Sequence, residues 1–479
     1  MLHKSNKNKP LGTFIVAMLS LAVVISLRNL PIMASLGLSS LFFYALAVCT
    51  FMIPYALISA EMASCWPKGI YVWAREAFGD RWGFFSVWMQ WFHNMTWYPA
   101  MLAFFGAGAA YLIKPELVHS KPYLMSVILI GFWVLTLFNF LGISTSAIFS
   151  SFCVISGTVI PGIILISMAI NWIAQGYPIS IDLSLKSIIP NLNQFSSLAL
   201  LSGIFLALSG LEANANLAKE MKDPKKSYPK AIFIGAILVL FILVFGSLSI
   251  AIVVPKQEIS LVSGLLDAFN LFFSKYNIHW LTPVIIILTI TGAIGELNAW
   301  MFAGTKGLFV TTEKGCLPPI FHKVNKKEVP VNLMLFQAIV VTIFTTIIMF
   351  FSDVDVGYWI LSALSTQMYL LMYIILFLSG VILRFKAPNK TRAYKIPGNI
   401  LGISILAFIG TLSCLFALTI SFFPPQSLFK NNCNIFQYEA LIITGFIACF
   451  LLPFAIYSFR KPSWKFEVQI EDIKNKIIN

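Results

Sequence analysis

Apolar stretches long enough to cross a lipid bilayer recur along this chain of 479 residues and restrict what it can fold into. Only 11% of the residues are charged, 58% are hydrophobic, and the mean hydropathy is +0.85. Soluble globular chains carry about 25% charged residues, so one polar shell could not cover this much apolar surface. Backbone groups in lipid must hydrogen-bond within their own segment, which favours helices. The sequence therefore predicts an all-α membrane protein.

Twelve stretches have the length of about 20 apolar residues that a helix needs to cross the hydrocarbon core. No stretch shows the alternating pattern of a membrane barrel. The predicted transmembrane helices lie approximately at 12–34, 38–60, 82–112, 122–141, 146–173, 197–218, 230–254, 281–306, 332–351, 357–383, 399–423 and 438–458.

The distribution of Lys and Arg predicts how these helices are oriented. If the N-terminus is cytoplasmic, 26 of the 33 basic residues fall in cytoplasmic segments, 6 fall on the other side, and Arg28 lies within the first span. Cytoplasmic loops carry an excess of Lys and Arg. We therefore expect both termini in the cytoplasm, with 1–11 and 459–479 as short tails. Because the +14 net charge is spread over short loops, no nucleic-acid partner is expected.

The first span is interrupted by polar residues in the stretch Ser26-Leu27-Arg28-Asn29-Leu30-Pro31. Pro31 lacks an N–H donor and restricts Leu30 away from the helical region. A charged Arg within a span is costly and indicates a functional role towards a cavity. The alternative is that Arg28 pairs with a buried Glu and has a structural role.

A second interruption lies in the sixth span, between Ala207 and Glu220, and contains Ser209, Gly210, Leu211, Glu212, Asn214 and Asn216. A small-residue packing face is the alternative to a helix break. A break is favoured because the first and sixth spans hold corresponding positions in two five-span halves, the pattern of a transporter site. Broken half-helices present N–H groups to a carboxylate and carbonyls to an ammonium group, and a zwitterionic amino acid has both.

Further polar and aromatic candidates lie in other spans. Glu296 and Trp300 in span eight are four residues apart and share a helical face, so they could carry a proton and cover a substrate. The alternative is that Trp300 packs a helix crossing and Glu296 forms an ion pair. Tyr369 and Tyr373 share a face of span ten. The sequence is compatible with two roles for them, packing in the core and lining a cavity. Other interpretations place His93 as a packed or water-facing ring and Glu61 as a structural cap.

Short motifs occur in a fixed order over about residues 11 to 460. They are Ile53-Pro54 through Ala60-Glu61-Met62-Ala63, Gly79-Asp80-Arg81-Trp82-Gly83-Phe84, Ser209-Gly210-Leu211-Glu212-Ala213 with Glu220-Met221, Asp223-Pro224 through Tyr228-Pro229, Glu296 to Trp300, Val329-Pro330-Val331, Tyr394-Lys395-Ile396-Pro397-Gly398 and Phe423-Pro424-Pro425. With these motifs the chain resembles the amino-acid permeases of the amino acid–polyamine–organocation superfamily. Within it, the chain most resembles the glutamate/γ-aminobutyrate antiporter branch.

This resemblance implies a leucine-transporter-type fold of two inverted five-helix repeats, 12–173 and 197–383, with two extra helices in 399–458 and with helices 1 and 6 broken. It also implies a substrate site. Its expected residues are Ser26, Leu27, Arg28 and Asn29 at the first break, Ser209, Gly210, Leu211 and Glu212 at the second, and Trp300 over the substrate. The face of span ten adds Tyr369 as a candidate that lines the cavity. Glu212 and Glu296 are the candidates for proton coupling.

The first break departs from the family pattern because Arg28-Asn29 stands where a glycine pair is common. An arginine in the cavity would favour an acidic substrate side chain. The short tail 460–479 makes acid gating by a C-terminal plug unexpected.

The sequence thus favours a secondary transporter of amino acids, working by alternating access in a bacterial inner membrane. Glutamate/γ-aminobutyrate-like exchange is favoured, and proton-coupled symport of a neutral amino acid is the alternative. The spans carry neither the catalytic set of an intramembrane enzyme nor the filter or charged rings of a channel. The seven cysteines form no CxxC pair, so no zinc site is expected. No GxxxxGK(S/T) motif is present, so no nucleotide site is expected, and the sequence predicts no cofactor. The expected partners are the amino acid and the bilayer, and a homodimer is a further hypothesis.

Overall fold

The computed structural model describes residues 18, 21–66, 68–190, 195–213, 215, 224–260, 263–348, 354–423 and 435–465. Helices make up the secondary structure of these residues, and no strand occurs among them. The predicted tail 1–11, residues 466–479 of the other tail, and Asn214, Asn216 and Glu220 lie outside the described residues.

The described helices, in chain order, are α1 (Leu30–Ala34), α2 (Gly37–Cys65), α3 (Ile70–Phe78), α4 (Asp80–Ile113), α5 (Lys121–Asn139), α6 (Ser144–Ala174), α7 (Phe195–Leu208), α8 (Pro224–Val253), α9 (Gly264–Lys275), α10 (Leu281–Thr312), α11 (Val331–Ile348), α12 (Val354–Lys386), α13 (Asn399–Ile420) and α14 (Ile435–Ser458). Single π-helical turns lie within α2 and α6.

Nine of the described helices are long and apolar enough to cross a membrane, and each matches a predicted span. Two shorter apolar helices, Leu201–Ala213 and Val331–Thr346, lie within predicted spans six and nine. The expectation of an all-α membrane protein is therefore confirmed. The count of twelve spans and the inverted repeat stay predictions.

The first break lies just before the proline that suggested it. Ser26 has extended backbone angles, φ −123° and ψ 115°, and a 3-10 turn follows at Leu27–Asn29. Pro31 then stands in the first turn of α1, where its missing N–H costs no helical hydrogen bond. Pro31 thus begins the second half-helix, and the interruption occupies residues 23–26.

The second break requires its glycine. Helix α7 ends at Leu208, and Gly210 has φ +117°, a backbone conformation that residues with a side chain rarely adopt. A Cβ at this position would lie 2.9 Å from the Trp300 ring and 2.9 Å from the Val23 carbonyl oxygen. Both breaks and the side chain of Trp300 therefore meet in one place.

Helix α4 is central in the bundle, and α13 and α14 are peripheral. In the most apolar window of each helix, 72% of α4 is buried, compared with 28% of α13 and 17% of α14. Helix α4 packs along α10 and α12, and these three helices carry most of the polar side chains described below. The two extra helices lie outside this core.

Glu61 forms a buried ion-pair cluster and does more than cap the end of span two. Its carboxylate accepts two hydrogen bonds of 2.5 Å from Arg384 and lies 3.0 Å from the Arg392 Nε. It also accepts the backbone N–H of Ile396 at 2.8 Å. The cluster joins the end of α2 to the end of α12 and to the loop that follows α12.

We predict that Glu61→Ala strongly destabilises the protein. Removal of the carboxylate leaves two guanidinium groups buried together, and breaking a buried pair in this way costs about 3–5 kcal/mol. The temperature of thermal unfolding in detergent should fall by many degrees. Glu76→Ala is the matched control, because Glu76 pairs with Arg75 at the surface, with 40% of its side chain exposed. Equal unfolding temperatures for the two variants would contradict a structural role for the cluster.

Candidate substrate site between the two helix breaks

Trp300 on α10 bridges the two breaks. Its indole N–H donates a 2.8 Å hydrogen bond to the carbonyl of Val23, a group that the interruption of the first span leaves available. The far edge of the same ring lies against Gly210. The ring is 3% exposed, so Trp300 closes the space between the breaks on the side of α10.

Tyrosine hydroxyl groups form hydrogen bonds with the free backbone N–H and carbonyl groups of the second break. The N–H of Gly210 donates to the Tyr373 hydroxyl at 2.8 Å, and this hydroxyl donates in turn to the Glu212 carboxylate at 2.6 Å. Tyr55 on α2 donates to the carbonyl of Leu208 at 2.5 Å. A buried backbone group without a partner is costly, and these tyrosines remove that cost. A ligand that binds the same backbone groups must displace them.

Glu212 is 1% exposed and is surrounded by uncharged hydrogen-bond donors. Tyr369 and Tyr373 each donate a hydroxyl hydrogen bond to it, and the amide of Gln90 donates a third at 3.2 Å. Among the described residues, no Lys or Arg lies within ion-pair distance of this carboxyl group. A buried carboxyl group held only by neutral donors is a site where a proton can bind and leave.

A second charged centre lies at the first break. Arg28 is 1% exposed and its guanidinium lies 5.8 Å from the centre of the Trp97 ring. The carboxyl group of Glu296 is also buried, and it lies near enough to Arg28 and Ser26 to interact with them electrostatically. The structure therefore brings Ser26, Arg28 and Glu296 close to one another at the first break.

The other predicted site residues are placed differently. The hydroxyl of Ser209 donates to the carbonyl of Leu206 at 2.7 Å and so ends α7. The side chain of Leu27 points towards Gly162 on α6. Asn29 lines a cleft next to Arg28, and Leu211 is fully buried. Of these residues, Asn29 is the one that lines the described cleft.

The predicted set omitted several residues that contact the site. Gln90 and Tyr55 are absent from it. Tyr373 is outside it too, because its position in the sequence is compatible both with core packing and with cavity lining. His93 is a packed ring, as expected: it stacks on Tyr369 at 4.2 Å between ring centres and hydrogen-bonds with the Ser365 hydroxyl at 2.6 Å. Gln90 and His93 are three residues apart in an apolar span, and this polar face is a signal that the sequence contains.

Comparison with known proteins identifies the family of this chain. The family model "Amino acid permease" matches residues 11–448. The chain is 41% identical over 451 residues to an uncharacterized transporter of Legionella pneumophila, an alignment that covers 94% of this chain and 97% of that protein.

Two relatives have more specific names. A glutamate/γ-aminobutyrate antiporter of Lactococcus lactis is 31% identical over 456 residues, which cover 94% of this chain and 90% of that protein. A probable agmatine/putrescine antiporter of the same species is 25% identical over 380 residues, which cover 76% and 78% of the two chains. These relatives are transporters and not enzymes. The resemblance inferred from the motifs is confirmed, and the chain belongs to the amino acid permease family of multi-pass membrane transporters.

Proposed function

We propose that this protein exchanges amino acids across a bacterial inner membrane by alternating access, with glutamate and γ-aminobutyrate as the favoured type of substrate pair. The observation that carries the proposal is the meeting of two broken helices around Trp300, Tyr373 and Glu212, in a chain of this family. The name of the Lactococcus lactis relative supports the substrate pair.

The substrate would bind to the backbone groups that side chains now occupy. Its ammonium group would take the place of the donors that now reach the carbonyls of Val23 and Leu208. Its α-carboxylate would take the N–H groups at the breaks, including that of Gly210, where half-helix dipoles favour negative charge. Trp300 would then act as a lid, and Tyr369 would line the cavity.

Arg28 would select the substrate side chain. A buried guanidinium attracts a carboxylate and repels an ammonium group, so acidic substrates are favoured over basic ones. Agmatine and putrescine, in the name of another relative, are cationic molecules of the kind that this guanidinium would repel.

Proton-coupled symport of a neutral amino acid is the second candidate function. The observation that favours it is Glu212, a buried carboxyl group among neutral donors that could carry a proton with the substrate. Glu296 beside Arg28 is the other candidate proton carrier.

Counterflow in proteoliposomes separates the two functions. We expect internal unlabelled glutamate or γ-aminobutyrate to stimulate the uptake of labelled glutamate severalfold without a pH gradient. Vesicles without internal amino acid should take up little label even when the outside is acidic. Strong uptake driven by the pH gradient alone would favour symport over exchange.

We predict that Arg28→Gln weakens the binding of acidic substrates. A hydrogen bond to a charged group contributes about 1.5–3 kcal/mol, which corresponds to a roughly tenfold to hundredfold rise in the KM for glutamate. A neutral amino acid should keep its KM. Lys256→Gln is the control for a general charge effect, because it removes one positive charge from an exposed loop. An unchanged ratio of glutamate to neutral amino acid uptake in Arg28→Gln would refute side-chain selection by Arg28.

We predict that Glu212→Gln makes transport insensitive to pH. Glutamine keeps the size of the side chain and can hydrogen-bond with Tyr369 and Tyr373, but it cannot exchange a proton. The measurement is the initial rate of exchange from pH 5 to pH 8, with Glu296→Gln as the comparison variant. Retention of the wild-type pH profile in Glu212→Gln, together with its loss in Glu296→Gln, would move the proton site to Glu296.

A further inference from the structure

A small cleft lies next to the first break, on the side that the Lys and Arg distribution predicts to be outside. Three segments form it: the 3-10 turn and α1 that follow the first break, α7 before the second break, and the outer half of α12. The cleft is narrow and partly open. Arg28 and Asn29 line it from the first segment, Ser202 from α7, and Ser362 and Thr366 from α12.

Two of these side chains are suited to an anion. Arg28 is a buried cation and one of the residues that line the cleft. Ser362 is 7% exposed, and its hydroxyl has no hydrogen-bond partner among the residues that the structure describes. The neighbouring hydroxyl of Thr366 is already used, since it donates to the Ser362 carbonyl at 2.8 Å. Burial of an unpaired hydroxyl is unfavourable, and a ligand that accepts its hydrogen bond would remove this cost.

The cleft and the site between the breaks lie along the same face of α12. Ser362, Thr366, Tyr369 and Tyr373 follow each other at spacings of four, three and four residues, so they lie along one face of α12. The lower end of this face contacts Gly210 and Glu212. A substrate held by its amino group at the breaks would therefore direct its far end along this face towards Ser362 and Arg28.

We propose that Arg28 and Ser362 form a subsite for the carboxylate at the far end of the substrate, separate from the backbone groups that bind the α-carboxylate. The inference rests on the proposed function. Its chemical basis is the structure of the two substrates, since γ-aminobutyrate differs from glutamate only in lacking the α-carboxylate. Both molecules keep the amino group and the distal carboxylate, so the distal carboxylate is the feature that one exchanger can recognise in both.

The subsite defines a substrate class, namely amino acids with a carboxylate three carbon atoms away from the amino nitrogen. Guanidinium and hydroxyl groups together offer charge-assisted hydrogen bonds to both oxygens of such a group. The backbone N–H groups at the breaks would contribute to the binding of glutamate through its α-carboxylate, which γ-aminobutyrate lacks. Exchange of the two then depends on the contacts to their shared amino group and distal carboxylate.

The test uses γ-aminobutyrate and 2-aminobutyrate, two isomers that each keep one of the two carboxylates of glutamate. The full-length wild-type protein and the variant Ser362→Ala are compared in proteoliposomes by counterflow of labelled glutamate and γ-aminobutyrate. The binding of 2-aminobutyrate is measured as its inhibition constant against glutamate uptake. Because Ser362 donates no hydrogen bond to the described protein, Ser362→Ala removes no protein contact of this kind and should fold normally.

We expect Ser362→Ala to raise the KM for glutamate and for γ-aminobutyrate about tenfold, as loss of a hydrogen bond to a charged group does. The inhibition constant of 2-aminobutyrate should not change. Ser362→Thr, which keeps the hydroxyl, should restore both KM values. Ser379→Ala is the matched control, since Ser379 is another buried serine of α12 without a described hydroxyl partner, about 25 Å further along the helix.

The outcomes separate the subsite from the proposed function. If the wild-type protein exchanges no amino acid, the proposed function is wrong and the subsite fails with it. If the wild-type protein exchanges glutamate and γ-aminobutyrate but Ser362→Ala leaves both KM values unchanged, only the subsite is wrong. An equal weakening of 2-aminobutyrate would also overturn the subsite, because Ser362 would then act on the whole site.

Discussion

The need to satisfy backbone groups inside a membrane determines the form of this site. An unbroken helix bonds every N–H and carbonyl internally, and each interruption exposes groups that lipid cannot satisfy. Here distant side chains bind them: Trp300 bonds to Val23, Tyr373 to Gly210 and Tyr55 to Leu208. The aromatic side chains therefore stabilise the breaks and at the same time occupy the groups that a zwitterion would use.

The buried charges of the described residues differ in what they can do. Glu61 is fully engaged by Arg384 and Arg392 at the end of the bundle, an arrangement that holds helices together. Glu212 has only neutral hydrogen-bond donors among the described residues, an arrangement that under the proposed function would let it gain and lose a proton. Arg28 is buried near Glu296 and lines the outer cleft. Under the proposed function, Glu212 and Arg28 would act on the proton and the substrate, whereas Glu61 holds helices together.

Much of this could be predicted from the sequence, because helices in lipid follow from local composition. The interruptions are visible in Arg28, a charge that is costly inside a span, and in the polar residues around Gly210. The position of the first break was less certain, since Pro31 is compatible both with ending a helix and with beginning one. The role of Gly210 could be inferred from its polar neighbours, but its contact with Trp300 could not.

The partners of the breaks could not be predicted for a geometric reason. Gly210 and Tyr373 are 163 positions apart, and Trp300 and Val23 are 277 apart. Periodicity tells which face of its own helix a residue occupies, but it contains no information about which helix packs against that face. For the same reason Glu61 was interpreted as a local cap, although its partners lie more than 300 positions away.

The occupied state of the breaks also bears on how tightly a substrate can bind. A substrate exchanges its own hydrogen bonds with water for bonds that the protein already makes to its own tyrosine and tryptophan side chains. The free energy of binding is therefore the difference between two similar sets of hydrogen bonds. The hydrogen bonds that the displaced tyrosine hydroxyls form elsewhere add to it. Such a site favours modest affinity at the α-carbon groups. Under the proposed function, discrimination between amino acids would then come from interactions beyond the breaks, where Arg28 is a buried cation that lines the outer cleft.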